Sequence, residues 1–493
     1  MNKILDVVIN SEIMQKITRA IHAKNFPINI TGVIESQKCH LFSAIKEKLN
    51  CQMIFISYSE LQAKQNYDDL KVFRDDVYYY PSKDFVSYLA DVKSSDVYKQ
   101  RFDVLNSLME QKNCSIVLSI EALFDRLSPP DYFKQSILKL NVGMNFLLDD
   151  LSRHLIFLGY ERAEIVEAPG QFSVRGGIFD ICTSNYAVRL EFFDNEIDSI
   201  RLFDTISQRS LSSVDKIKIT PMRELIYSDE KFAAALDKIK AESDDVEKIT
   251  LLEQNVFNTD MYANFFCDDD VCLLDYLAQN CLIFLDEPSK ILGNAKNFYD
   301  DCQTQIQKQI EIGYMLPSQK NIILSYEQVI EKLRDKLCVT FENFPQTSEF
   351  TAKNFIECKT KTPETFKIYS DFFLDNLKKY LAAKKIVIIF AGAKFNNLAR
   401  YLVNKNIPVE FLDDANKILP NRIYVTSGAL HANFEYENLV IISCGRREKS
   451  RGSKNKNPIQ NFLDLKLNDL IVHEKHGIAI YKGIEKITVD GVT

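Results

Sequence analysis

The chain has 493 residues, enough for three or four domains, since single cores rarely grow beyond ~250–300 residues. At 46% hydrophobic and 26% charged residues it is ordinary globular material, and no apolar run approaches the ~20 residues of a membrane span, so no membrane partner is expected. A net charge of −7 argues against broad, sequence-independent DNA binding by the chain as a whole. The opening MNKILDVVINSEIMQK has a short apolar patch but no small-residue cleavage site, so it does not read as a signal peptide. Eleven cysteines include no C-x-x-C pair, and the closest two, Cys267 and Cys272, have no histidine nearby. That pattern argues for reduced cytoplasmic thiols rather than disulfides or zinc.

Residues 1–136 read as an α/β domain. Ile28–Ile30, Met53–Ile56, Val77–Tyr80 and Ser115–Leu118 are short buried-strand candidates between helical stretches, and Pro129-Pro130 punctuates the end. Directly after the first strand, Gly32 to Cys39 approaches the phosphate-loop pattern G-x-x-x-x-G-K-[ST]. Gly32 and Lys38 fit. Gln37 stands where glycine lets the backbone wrap phosphate, Cys39 replaces the hydroxyl that would bind Mg²⁺, and Glu35 adds a carboxylate near the phosphate position. With three adverse changes the loop is expected not to bind nucleotide. Tyr78 to Tyr80 read as strand and core residues rather than stacking platforms for bases.

Residues 137–222 hold the most informative stretch of the chain. A helix from about Phe146 to Leu158 stops at Gly159. In the run Phe172 to Arg209, Phe172 and Val174 point inward, Ser173 and Arg175 outward, and Gly176-Gly177 relaxes the backbone. Val188, Leu190 and Phe192 share one face of a strand, and Arg189, Glu191 and Phe193 the other. Asp194-Asn195 supplies the turn into a second strand, Ile197 to Phe203. Two arginines and a phenylalanine on the outer face of a small sheet have the composition of an interaction hot spot. They are equally compatible with Arg189 pairing Glu191 or a cross-strand acid while Phe193 covers the sheet edge.

Beyond Pro221 the helical period returns in residues 223–350, as in Phe232 to Glu242, followed by the strand Cys281 to Leu285 and the run Asn321 to Leu324. Asp286-Glu287 ends the strand in a Walker-B-like manner, a pattern of little specificity, with Asp286 read as a helix cap. Residues 351–445 form a separate small α/β unit, with helices near Phe366–Ala382 and Lys394–Asn404 and strands Ile386–Phe390, Arg422–Val425 and Leu439–Ile442. Their near-continuous apolar runs suit a parallel sheet covered on both faces. Residues 446–458 are basic and contain glycine and serine, a flexible linker or, on the sharper reading, a nucleic-acid patch. In the last segment His473 and His476 lack a third ligand nearby, so no metal site is expected.

The signature Arg175-Gly176-Gly177-Ile178-Phe179-Asp180, the run Arg189 to Arg201, then Phe203-Asp204 and Gln208-Arg209, closely resembles the second domain of bacterial transcription-repair coupling factors. The excision-repair helicase UvrB shares much of it. Ile471 to Gly483, IVHEKHGIAIYKG, is similar to the opening of the coupling factors' RNA polymerase-interacting domain, with Ala479 where the family usually has glycine, and it separates the two families. The resemblance implies a UvrB-like module: a degenerate RecA-type α/β domain with an inserted small β-rich domain, then a small parallel-sheet α/β domain, with a truncated β-barrel over residues 459–493. It further implies UvrA docking through Arg175, Arg189 and Phe193, and contact with the RNA polymerase β subunit through Ile487, weak or lost where the barrel is incomplete. In the family a C-terminal motor using ATP and Mg translocates on DNA and a C-terminal domain masks the UvrA surface. Neither is expected here, so the chain should be an adaptor without cofactor, weak on DNA, and open to UvrA at all times.

Overall fold

The computed structural model describes residues 3–83, 95–243, 259–266, 269–344, 350, 352–363, 368–415, 417–444, 470–473 and 477–480. Residues 1–445 make one compact unit and 446–493 a second. The fold is mixed α/β, with one large parallel sheet and several smaller sheets.

Seven parallel strands form the large sheet, in the order Asn354–Glu357, Ile28–Thr31, Leu337–Glu342, Leu282–Asp286, Met53–Ser57, Ser115–Ser119 and Val77–Tyr80. Its central strands are buried along their whole length, because helices cover both faces and every residue must be apolar or internally bonded. Two of these helices start at a serine whose hydroxyl accepts from the third helical N–H, at Ser59 and Ser325. The run Asn321 to Leu324 is no strand: it closes the short helix Pro317–Asn321 and makes a single bridge, Ile323 to Asp125.

The inserted sheet has six strands in the order Ser210–Ser213, Glu196–Phe203, Ala187–Phe193, Ile178–Cys182, Gln171–Arg175 and Glu161–Arg162, antiparallel except for the last pair. Phe172, Phe179, Val188, Leu190, Ile197 and Ile200 line its inner face and pack on Leu151, Leu155 and Leu158, contributed by the helix Leu148–Phe157 and its C-terminal cap. Gly159 follows at φ +91° and ends the helix, as a left-handed residue must. The strand Lys216–Ile219 pairs back with Leu138–Asn141, so entry to and exit from the inserted domain run side by side.

The small α/β sheet, in the order Val409–Phe411, Arg422–Thr426, Ile386–Phe390, Leu439–Ser443 and Phe434–Glu435, is parallel apart from the last edge strand. One face carries Val387, Ile389, Ile423, Val425, Val440 and Ile442 against its own helices Asp371–Ala382 and Phe395–Asn404. The other face, with Ile388, Phe390, Tyr424 and Ile441, shares a core with Leu5, Val8, Phe42 and Phe73 of the first α/β domain. The two faces of a five-residue apolar strand need two covers, and only one is supplied locally. The small sheet of residues 351–445 is therefore covered on its second face by the first α/β domain.

His40 sits in that shared core, edge-on to Phe73, near Phe434, with Nδ1 3.1 Å from the Tyr436 hydroxyl. Burial pushes its imidazole down to about 4, against the opposing pull of a hydrogen bond to the Ile4 backbone. Above pH 6.5 both folded and unfolded chains hold it neutral. Below that the unfolded chain takes up a proton that the folded chain refuses, so stability is lost as pH falls from 6.5 toward 4. Urea unfolding should show about 2 kcal/mol less stability at pH 5 than at pH 7.5 from this residue alone, a loss absent in His40→Gln. Equal pH slopes for the two proteins would show that His40 titrates normally.

In the second unit, Leu470–His473 and Gly477–Ile480 form an antiparallel hairpin, Leu470 opposite Ile480 and His473 opposite Gly477. Among the described residues no closed barrel is formed. Ile487, His476 and the basic stretch 446–458 lie outside the described residues.

Candidate functional site

The outer face of the inserted sheet brings together all three docking candidates. Strand register sets Ser173, Asp180, Arg189 and Arg201 in one cross-strand row and Arg175, Ile178, Glu191 and Ser199 in the next. Phe193 ends the strand Ala187–Phe193 on this same face with 80% of its surface exposed. The Gly176-Gly177 turn makes the arrangement possible. Gly176 takes φ +62°, and a Cβ on Gly177 would stand 2.9 Å from the Phe192 carbonyl oxygen, so the turn lies flat against the neighbouring strand.

The side chains are not equivalent. Arg189 is mostly covered and grips Asp180, Nε to Oδ1 at 2.6 Å and Nη2 to Oδ2 at 2.9 Å, with its guanidinium 5.0 Å over the Phe203 ring. Arg175 is half exposed and reaches Asp180 through Nη2 alone, at 2.6 Å. Of the two partners left open for Arg189, the cross-strand acid is the one used, while Glu191 pairs with Arg201 at 3.0 Å. Ser173 lies on the outer face but is buried, its hydroxyl donating to the Glu164 carbonyl, because the segment after Arg162 folds over that end of the sheet. Asp180, Ile178 and Arg201 were not singled out as docking residues from the sequence. Alternation places them on the outer face, but only the register between strands shows what they touch.

At the other candidate site the phosphate-loop residues are engaged internally. The Lys38 ammonium, buried, lies 2.7 Å from Asp286 Oδ1 and 2.6 Å from Glu287 Oε1. Burial pulls its pKa down, yet the two carboxylates outweigh that and hold it above the ordinary lysine value. Asp286 is therefore the counter-ion of Lys38 and not a helix cap. The helix Pro288–Glu311 is preceded by Glu287 in a left-handed conformation, with no side-chain cap bond. Gln37 Oε1 accepts from the Ile34 N–H, and the Cys39 thiol donates to the Asn66 carbonyl. Gly32, at φ +74°, lies so close to the next strand that a Cβ there would collide with the Cys358 carbonyl oxygen. Glu35 is exposed at φ +32°. Ser36, in the first turn of the helix Glu35–Leu49, donates to Asp69 and accepts from the Ala432 N–H of the small α/β domain. A loop from that domain thus covers the helix N-terminus where a bound phosphate would stand.

Among the described residues no group of three His, Cys, Asp or Glu side chains is placed to hold a metal, and no helix is long and apolar enough to cross a membrane.

Residues 138–225 match the UvrB interaction domain family, and residues 465–493 match the CarD-like/TRCF RID domain family. The whole chain is 27% identical to the transcription-repair-coupling factor of Bacillus subtilis (strain 168), of which it covers 45%. It is 26% identical, over 99% of its length, to the transcription-repair-coupling factor of Staphylococcus haemolyticus (strain JCSC1435), of which it covers 44%. The chain therefore spans less than half the length of the curated relatives it matches. The chain thus carries matches to both a UvrB interaction domain and a TRCF RID segment, and along its full length it is similar to proteins named transcription-repair-coupling factor.

Proposed function

We propose that this chain serves transcription-coupled nucleotide excision repair in the cytoplasm as the adaptor that recruits UvrA to stalled RNA polymerase. Phe193 carries the reading. A phenylalanine four-fifths exposed on the same outer face as a half-exposed arginine, in the segment that matches the UvrB interaction domain, buries little against its own fold and leaves its ring open to a partner. Arg175 and Phe193 are the proposed UvrA anchors, with Arg189 behind them. Segment 465–493 is proposed to address the RNA polymerase β subunit, with Ile487 as a contact. The large parallel sheet is read as a degenerate RecA-type domain that has given up nucleotide, its lysine neutralised by Asp286 and Glu287.

Calorimetric titration of the 493-residue chain with UvrA tests the docking role. Phe193→Ala and Arg175→Ala should each weaken binding roughly thirtyfold, as loss of a central anchor typically does, with the unfolding midpoint unchanged. Unaltered affinity in both variants would show that UvrA docks elsewhere or not at all.

A further inference from the structure

On the docking face the one fully buried charge is Asp180, whose side chain is 1% exposed. Its Oδ2 accepts from Nη2 of both Arg175 and Arg189, and its Oδ1 from Nε of Arg189. Arg189, 18% exposed, is held from three sides: twice by Asp180 and once by the ring of Phe203. Phe203 itself packs with Val166, Cys182 and Ala187 in a small apolar cluster. Arg175, 49% exposed, keeps most of its guanidinium free.

We propose that Asp180 is a positioning residue of the docking face, aiming Arg175 at a carboxylate of the partner, and that Arg189 acts through Asp180 rather than as a contacting anchor. The proposal rests on the docking reading above and divides the work within it. A buried carboxylate is tolerable only when paired, and the bidentate grip of Arg189 supplies that pairing from inside the sheet. The second lone-pair position of Oδ2 is then free to hold Arg175 in one rotamer before the partner arrives. An arginine ordered in advance loses less side-chain entropy on binding, and the difference for one long side chain reaches about tenfold in affinity. The same geometry means that Arg189→Ala leaves a buried carboxylate with a single, half-exposed partner, so its main cost falls on the fold.

Titration of the full chain with UvrA, paired with thermal unfolding of each variant, separates these roles. Asp180→Asn keeps the shape and removes the charge. It should weaken binding about fivefold to tenfold in the wild-type background and cause no further loss in the Arg175→Ala background, because its effect passes through Arg175. Arg189→Ala should lower the unfolding midpoint, whereas Arg175→Ala should not. Equal losses from Asp180→Asn in both backgrounds would overturn the positioning role. So would an Arg189→Ala variant that melts like wild type yet binds as poorly as Arg175→Ala, which would make Arg189 a direct anchor. If Phe193→Ala and Arg175→Ala both bind normally, the docking reading itself fails and the positioning role falls with it.

Discussion

Replacing Arg101 by methionine is expected to remove about 3–5 kcal/mol of stability from the α/β unit, a large share of what a domain possesses. Arg101 is fully buried. Its Nε and Nη2 bind the two carboxylate oxygens of Glu224 at 2.5 and 3.0 Å, Nη1 lies 2.8 Å from Asp125 and donates to the Pro81 carbonyl, and its plane lies 4.1 Å over Tyr80. Lys83, equally buried, stands 2.8 Å from Glu224 and 2.9 Å from Asp260, which also accepts from the Tyr98 hydroxyl. Two cations thus serve three carboxylates, and removing Arg101 leaves one. Burial acts to raise the Glu224 carboxyl, but Arg101 first and Lys83 second outweigh it and hold it below the ordinary value. Without Arg101 the balance reverses, and Glu224 gains by taking a proton. The deficit of Arg101→Met should therefore shrink as pH falls from 7.5 to 5. Urea unfolding at the two pH values checks both statements, and a loss under about 1 kcal/mol at pH 7.5 would show the network to be dispensable. The network also bears on the proposed docking role, because Glu224 lies at the exit from the inserted domain and so helps fix where the inserted sheet joins the large α/β sheet.

Apolar runs were enough to locate several of the buried strands. Ile386–Phe390 falls where its five consecutive apolar residues place it, and Leu282–Asp286 and Leu439–Ser443 shift by a residue or less at either end. Leu337–Glu342 has a shorter apolar run, interrupted at Thr340, and closely follows the helix Tyr326–Arg334, and periodicity alone does not separate a short buried strand from a continuing helix. Asn354–Glu357 is an edge strand with only Ile356 buried, so it has no apolar run to read. Alternation around Val188, Leu190 and Phe192 gave the exposure of Phe193. It could not give the partner of Arg189, because that depends on which residue of another strand comes opposite, and Asp180 comes opposite only once the turn from Thr183 to Tyr186 sets the register between Ile178–Cys182 and Ala187–Phe193. The Arg101 network was invisible for the same reason on a larger scale. Arg101, Glu224 and Asp260 are far apart in sequence and each reads as a solvated charge until the chain returns from the inserted domain.

Lys38→Met is expected to destabilise the chain by a comparable amount, about 3–5 kcal/mol, and to give the same absence of ATP binding that is expected of the wild type. The ammonium bridges Asp286 and Glu287, and Glu287 in turn accepts from the Asn343 N–H, so both acids are held where they cannot turn to solvent. Taking away the cation leaves two buried carboxylates facing each other. The triple variant Lys38→Met, Asp286→Asn, Glu287→Gln should recover most of the loss, since a neutral, hydrogen-bonded set of similar volume replaces a buried charge set at little net cost. A working phosphate-binding lysine behaves in the opposite way. It is left short of counter-charge so that a nucleotide can supply it, and its removal abolishes binding with little effect on the empty fold. Here nucleotide would have to pull Lys38 from two carboxylates, displace the Ala432 loop from Ser36, and fit beside Gln37 where no wrapped backbone exists. Calorimetry with ATP and Mg²⁺ on wild type and Lys38→Met, run alongside urea unfolding, decides between the two. Micromolar affinity in the wild type that vanishes in Lys38→Met, with unfolding unchanged, would restore the lysine to a catalytic role.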